Sequence, residues 1–163
     1  MSTYEDRASG YCRILLPTQW RIVRHMRLAA LSDSPLAFLG ALDEESILDK
    51  DDWLKTFESA SWHGCFVTDS PIGIAKSRML TEHPEERYVE SFWVKPEHRN
   101  QRVARLIIQS IVEEARNEGR SFIRLSVLWT NHSAIGVLRQ LGFSRTVPSR
   151  TGDHEICLEL PLA

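Results

Sequence analysis

The stretch Val94-Lys-Pro-Glu-His-Arg-Asn-Gln-Arg-Val-Ala104 joins an apolar, strand-like run to an amphipathic helix. Pro96 disfavours helical geometry at Lys95, so the strand ends there and the chain turns. Apolar residues then recur at helical spacing and predict a helix over 103–118. The first turn of a helix has free backbone N–H groups and the positive end of the helix dipole. The junction therefore favours a bound anion, and a phosphate suits it well.

Three arginines surround the predicted start of this helix: Arg99, Arg102 and Arg105. Basic residues are unfavourable in the first turn, where the helix dipole prefers acidic side chains. An external anion would compensate for that placement. The alternative is an ordinary solvated, basic loop between a strand and a helix.

A second segment strengthens the first. Asn131-His-Ser-Ala-Ile-Gly-Val-Leu-Arg-Gln-Leu-Gly-Phe143 follows a strand-like run at 123–128. Together the two segments resemble the GNAT superfamily of N-acetyltransferases, whose pyrophosphate loop reads Arg/Gln-x-x-Gly-x-Gly/Ala and whose later helix reads Asn-x-x-Ala-x-x-Leu-Tyr-x-x-x-Gly-Phe. Residues 99–104 match the first pattern, and the second is matched by Asn131, Ala134, Gly142 and Phe143. The resemblance covers roughly residues 12 to 160.

Two positions depart from the family pattern. Arg102 stands where the loop has its first glycine, and Leu138 stands where the helix has its catalytic tyrosine. Glycine lets the backbone approach the pyrophosphate closely. Arg102 must therefore adopt the same backbone conformation, or the loop must hold the pyrophosphate slightly differently. Its guanidinium is also suited to lie along the phosphates. A leucine cannot protonate a leaving thiolate, so the family's general acid is missing at this position.

The resemblance implies an α+β fold: a mixed, mostly antiparallel central sheet of about seven strands flanked by helices, splayed between the strands ending near Val94 and Val127. We expect a loosely ordered tail at 1–10 and a single N-acetyltransferase domain over 11–163. The hydrophobic pattern predicts helices over 20–31, 35–39, 50–60, 103–118 and 131–141, with an acidic connector before the third. It predicts strands over 12–16, 64–68, 72–80, 87–94, 121–128, 143–147 and 155–160.

By the same resemblance, acetyl-CoA is the cosubstrate. Its pantetheine arm would enter between the splayed strands and its thioester carbonyl would meet backbone N–H groups near 92–94. Asn131 either caps its helix or hydrogen-bonds the arm. The predicted cofactor-binding residues are Phe92, Trp93, Val94, Arg99, Asn100, Gln101, Arg102, Val103, Ala104 and Asn131. We expect no metal, because the histidines show no ligand spacing.

Glu90 is the candidate base. It shares the two-residue period of a strand with Phe92 and Val94, which predicts that the three side chains face the same side. The alternative is a glutamate held in ordinary surface salt bridges. Candidates for the missing acid are Ser126, His132 and Ser133.

The composition bounds the remaining possibilities. A net charge of -2 does not favour nucleic acid or an anionic membrane as a partner. Cys12, Cys65 and Cys157 lack metal-ligand spacing and are interpreted as reduced thiols. The N-terminal residues carry no apolar segment, so we expect a cytoplasmic protein.

We therefore predict an N-acetyltransferase that transfers the acetyl group of acetyl-CoA to a primary amine by direct attack in a ternary complex. The acceptor is a small-molecule amine or an amine of a protein or peptide. Dimers are common in the family, so the resemblance also allows a homodimer. One alternative is a catalytically idle CoA-binding regulatory module. Another is an α+β domain without a CoA site.

Overall fold

One sheet organises the chain. The computed structural model describes residues 10–38, 41–99, 102–146 and 154–162, and within them seven strands form this sheet and five α-helices flank it. The strands are β1 (Tyr11–Ile14), β2 (Ala60–Val67), β3 (Ser70–Leu80), β4 (His83–Val94), β5 (Phe122–Leu128), β6 (Ser144–Arg145) and β7 (Glu155–Pro161). The helices are α1 (Trp20–Asp33), α2 (Leu42–Ser46), α3 (Lys50–Lys55), α4 (Val103–Asn117) and α5 (His132–Gln140).

The strand order is β1-β2-β3-β4-β5-β7-β6. β4 and β5 run parallel, and the other neighbouring pairs in the described sheet are antiparallel. A mixed, mostly antiparallel seven-stranded sheet with flanking helices confirms the predicted fold class. None of the helices in the described ranges is both long and apolar enough to span a bilayer.

Each face of the sheet has its own apolar core. α4 and α5 cover one face, where the apolar stripe of α4 is buried, and α1 and α3 cover the other. The α4 face includes Val89, Val94, Ile107, Ile111, Ile123, Leu125, Leu138 and Leu158. The α1 face includes Val23, Met26, Trp53, Trp62, Ile74 and Trp93.

The three largest errors in the predicted boundaries each lie before a long strand. The third helix ends at Lys55, β2 already begins at Ala60, and β4 begins at His83. The acidic connector contains the short helix α2. The strands are longer because the eleven residues of β3 pair with both neighbours along their length, as far as Ala60 opposite Arg78. Pairing partners of this kind are invisible to a local hydrophobic pattern.

Gly73 on β3 lets the first turn of α4 lie close to the sheet. A Cβ atom built at this glycine would lie 2.9 Å from the Cδ1 of Ile107 and 3.0 Å from the Cγ1 of Val103. At such distances the side chains of Ile107 and Val103, or the helix that carries them, must move. The absence of a side chain at Gly73 therefore helps to set where α4 begins.

A buried ionic network joins α4 to β4. The guanidinium of Arg87 lies 2.6 Å from the Oε1 of Glu114, and it also donates to the side-chain and carbonyl oxygens of Ser77. The Nε2 of the fully buried His63 lies 3.6 Å from the same Glu114 oxygen. Burial alone would raise the pKa of Glu114, but hydrogen bonds from His63 and Ser61 and the charges of His63 and Arg87 outweigh it and lower the pKa.

We expect Glu114→Gln to lower the free energy of unfolding by about 3 kcal/mol, because the buried guanidinium of Arg87 loses its closest carboxylate. Urea denaturation near neutral pH measures this. Glu113→Gln is the matched control: it lies on the same helix but is exposed, and we expect a change below about 0.5 kcal/mol.

The same pair of proteins tests the pKa direction. A carboxylate whose pKa is lower in the folded state stabilises the protein above its unfolded pKa, and that stabilisation is lost as the pH falls through the folded pKa. The difference between the wild type and Glu114→Gln should therefore shrink in acid. A difference that stays constant or grows would contradict this role for Glu114.

Candidate functional site

β4 and β5 separate halfway along the sheet. Their parallel ladder runs from Glu86 opposite Phe122 to Val89 opposite Leu125 and stops there. Both strands continue, β4 to Val94 and β5 to Leu128, without pairing to each other. In the described part of the chain, this edge of β4 therefore presents backbone N–H and C=O groups that an inserted ligand can pair with. The predicted splay is present at the predicted strands.

A bulge lies in β4 at the same place. Between the pair Lys76–Glu90 and the pair Ile74–Trp93, β3 contributes one residue and β4 contributes two. Ser91, inside this bulge, has a φ of 55°. Positive φ costs a non-glycine residue about 1–2 kcal/mol, and bulges redirect the side chains and backbone groups around them.

The bulge overturns the predicted orientation of Glu90. Phe92 and Val94 pack against the core beneath α4. Glu90 instead pairs with Lys76, whose ammonium lies over the ring of Trp62 in the α1 core. The extra residue breaks the two-residue alternation, so Glu90 and Phe92 face opposite sides of the sheet.

The carboxylate of Glu90 has two cationic neighbours. Its Oε1 lies 3.5 Å from the Nζ of Lys76 and 3.2 Å from the Nε of Arg78. Its side chain is 34% exposed. These contacts agree with the alternative of a salt-bridged glutamate, yet they also place an accessible carboxylate beside the separated strands. Its role as the base stays a prediction.

α4 begins at a left-handed residue. Arg102 is the N-cap of this helix, with φ 66° and ψ 11°, and its side chain makes no capping hydrogen bond. This is the backbone shape that glycine adopts without strain, so Arg102 keeps the conformation expected of the family glycine. The first turn of α4 carries no acidic residue, and its N–H groups are oriented to bind an anion.

Arg99 and Trp93 meet at the end of α1. The Nη2 of Arg99 donates to Asp33 over 2.6 Å, and the indole Nε1 of Trp93 donates to the same oxygen over 2.9 Å. The Nε of Arg99 also donates to the carbonyl of Val94. Hydrogen bonding from Trp93, and then from Ser34 and Arg99, lowers the pKa of Asp33 despite its partial desolvation. The side chains of these two predicted site residues therefore fasten the loop to α1.

The other predicted residues offer mainly backbone groups to the candidate site. The side chain of Val103 is buried in the core, and Ala104 is half-buried behind it. The Oδ1 of Asn131 accepts from the N–H of Ala134 over 3.2 Å, so the residue caps α5. The amide nitrogen of Asn131 is not used by that bond. Two predicted residues, Asn100 and Gln101, lie outside the described residues.

Leu138 belongs to the core. It is 2% exposed and packs beneath α5. Of the candidates for the acid, His132 and Ser133 are exposed at the start of α5.

The sequence did not predict the contact between Tyr88 on β4 and Ser126 on β5. Its hydroxyl donates to the Ser126 Oγ over 3.1 Å, across the point where the strands part. Burial raises the pKa of Tyr88, although the hydrogen bond to Ser126 opposes the shift. Tyr88 therefore stays protonated near neutral pH. No sequence signal pairs these two residues, because the contact depends on the register of β4 and β5.

The family of the chain follows from comparison with known proteins. Residues 24–143 match the model of the acetyltransferase (GNAT) family. The match includes both motifs and the separated strands, and the chain belongs to this family.

The most informative relatives agree with that assignment. Thialysine N-epsilon-acetyltransferase from Sus scrofa is 36% identical over 72 residues, which are 44% of this chain and 42% of that protein. The chain thus spans less than half of this curated relative. Two solved structures share the fold at low identity: yncA from Salmonella typhimurium with acetyl-CoA (TM-score 0.74, 17% identity, 94% of each chain) and the PaiA N-acetyltransferase from Thermoplasma acidophilum with coenzyme A (TM-score 0.73, 13% identity, 94% of this chain and 99% of that one).

We expect Arg102→Gly to raise the free energy of unfolding by up to about 1 kcal/mol, because glycine removes the strain of positive φ at a small cost in unfolded-state entropy. Chemical denaturation measures the change. Arg105→Gly is the matched control, since it removes the same charge three residues along, inside helix α4. It should destabilise by about 0.5–1 kcal/mol. Equal effects of the two substitutions would contradict strain at Arg102.

Proposed function

We propose that this chain is an acetyl-CoA-dependent N-acetyltransferase that acts on a primary amine by direct attack in a ternary complex. The observation that carries the proposal is the placement of two features side by side. The unpaired edge of β4 beyond Val89 leads directly, through residues 95–99, to the anion-binding start of α4 at Arg102. Membership of the acetyltransferase family supports the same assignment.

These features suit the two parts of acetyl-CoA. The pantetheine arm carries amides that can hydrogen-bond to the edge of β4, as an added strand does. The pyrophosphate needs convergent N–H donors and positive charge, which the first turn of α4 and the exposed Arg102 offer. Phe92, Val94, Val103 and Ala104 then act through backbone groups, and the side-chain amide nitrogen of Asn131 donates to the arm.

Acetyl transfer itself needs little from the side chains. The amine must lose its proton to attack the thioester carbon, the oxygen of the tetrahedral intermediate needs N–H donors, and the C–S bond breaks to release a thiolate. We assign the donor role to backbone N–H groups near the bulge and the base role to Glu90, directly or through water. A thiol with a pKa of about 8.5 leaves without a dedicated acid, so the core position of Leu138 is compatible with turnover.

The acceptor is an amine carried by a small molecule or by a protein or peptide. Thialysine is the first compound to test, because it is named in the activity of the Sus scrofa relative. Leu138 favours a second candidate function, a CoA-binding module without turnover, since the family acid is replaced by a core residue.

The test is thiol release from acetyl-CoA in the presence of thialysine, lysine and a panel of other amines. The enzyme proposal expects thiol release that depends on the amine, with mass spectrometry of the acetylated product. Thermal stabilisation by acetyl-CoA without turnover on any amine would favour the module. No stabilisation and no turnover would contradict both. In the same assay, Arg102→Gly keeps the backbone shape and removes the guanidinium, so a raised KM for acetyl-CoA assigns phosphate binding to the side chain.

We expect Glu90→Gln to lower kcat/KM for the amine by roughly 10²-fold at the acid end of the pH profile, where the amine is protonated and needs a base. The loss should shrink at alkaline pH, where the amine is already neutral. Glu85→Gln is the control, because Glu85 lies on the same strand and is exposed away from the bulge. A loss that is equal at every pH would remove Glu90 from the role of base.

A further inference from the structure

Cys12 and Cys65 lie directly opposite each other in neighbouring antiparallel strands. The register of β1 and β2 pairs Cys12 with Cys65. Both side chains point to the α4 face, where Cys65 is fully buried in the core and Cys12 packs against it. Both are free thiols in this structure. The proposed acetyl transfer uses neither residue.

The hydrogen-bonding phase of the two strands brings this pair especially close. The N–H of Leu15 donates to the carbonyl of Trp62 over 2.7 Å, so these two opposed residues form a hydrogen-bonded pair. Hydrogen-bonded and non-hydrogen-bonded pairs alternate along an antiparallel ladder. Three positions along, Cys12 and Cys65 therefore form a non-hydrogen-bonded pair.

That phase matches the geometry of a disulfide. Opposed residues at a non-hydrogen-bonded position have Cα atoms about 4.5 Å apart and closely spaced side chains. Disulfides span Cα distances of about 4.4–6.8 Å. The two cysteines can therefore be joined without a change of register between β1 and β2.

Cys12 can be reached from solvent. It is half-buried and lines a cleft of about 530 Å³ together with Arg13, Ser110 and Glu114. Cys65 lies behind it with no exposed surface. A small oxidant in the cleft therefore meets Cys12 first, and Cys65 is placed to react second.

The two thiols already interact. A hydrogen bond to Cys65, followed by burial, raises the pKa of Cys12, and the hydrogen bond from Cys12 lowers the pKa of Cys65. Because the groups are coupled, these values belong to the pair. The pair loses its first proton more readily than an ordinary cysteine and its second much less readily, so deprotonation leaves a Cys65 thiolate that accepts a hydrogen bond from the Cys12 thiol.

We propose that Cys12 and Cys65 form a redox-convertible disulfide site that links the edge strand β1 to β2 beneath α4. With hydrogen peroxide as the oxidant, the proton shared by the pair passes from Cys12 to the Cys65 sulfur, the Cys12 sulfur attacks a peroxide oxygen and the O–O bond breaks. Cys12 becomes a sulfenic acid and one water is released after protonation. The sulfur of Cys65 then attacks the Cys12 sulfur, the S–S bond forms as the S–O bond of the sulfenic acid breaks, and the hydroxide takes the remaining proton and leaves as a second water. Two thiols are oxidised by two electrons and one peroxide is reduced to two waters.

The experiment treats the full chain with a small excess of hydrogen peroxide and maps the products by mass spectrometry without reduction. We expect a loss of two hydrogens per chain, a linked peptide pair that contains Cys12 and Cys65, and a fall from three titratable thiols to one. Dithiothreitol should reverse all three changes. The melting temperature of the oxidised form should be roughly 5–15 °C higher, because the disulfide reduces the number of conformations accessible to the unfolded chain.

Variants sharpen the assignment. Cys157→Ala should leave the linkage unchanged, since Cys157 lies on β7 and is buried away from the pair. Cys12→Ala should abolish it and the rise in melting temperature. Oxidation of Cys12 to a sulfinic acid while Cys65 stays a thiol would overturn the proposal, as would linkage through Cys157 or between two chains. The mapping on the wild-type protein decides the matter even if a variant fails to fold.

Discussion

The buried contact between Arg87 on β4 and Glu114 on α4 holds the helix against the sheet, and the geometry of the candidate site depends on that position. A helix rises about 1.5 Å per residue and behaves as a stiff rod over this length. Its far end is held by the network, and Gly73 admits its first turn close to β3. Together these contacts place the free N–H groups after Arg102 beside the end of β4. A substitution that leaves one charge of this network without its partner would therefore disturb the candidate site at the other end of α4.

β4 departs from regular strand geometry at the candidate site. The bulge at Ser91 and the end of pairing with β5 after Val89 fall within two residues of each other. Of the three described non-glycine residues with positive φ, Ser91 lies in this bulge, Arg102 lies where α4 begins, and Thr68 lies in the turn between β2 and β3. Strained residues of this kind persist where the surrounding structure holds them, and they concentrate at functional sites. Ser91 and Arg102 lie at the two places proposed for acetyl-CoA, the thioester end and the pyrophosphate end.

The sequence predicted the helices of the motifs well, because strong periodic patterns are local. α4 was predicted over 103–118 and runs over Val103–Asn117. The starts of β2 and β4 were wrong, since they depend on pairing with β3. The orientation of Glu90 was wrong for a similar reason: alternation assumes a regular strand, and the extra residue at Ser91 reverses it. The hydrogen bond between Tyr88 and Ser126 could not be predicted from the sequence either, because it joins residues 38 apart in the chain.

By itself, the sequence determined the family and the class of fold and predicted where an anion would bind, because two motifs at the right spacing record local backbone requirements. Only the tertiary structure decided what the side chains in those motifs do. Arg99 and Trp93 turn to Asp33, Asn131 caps its helix, and Arg102 adopts the glycine conformation. It also brought Cys12 opposite Cys65. Each of these outcomes depends on strand register and on neighbours distant in the chain, which hydrophobic periodicity does not encode.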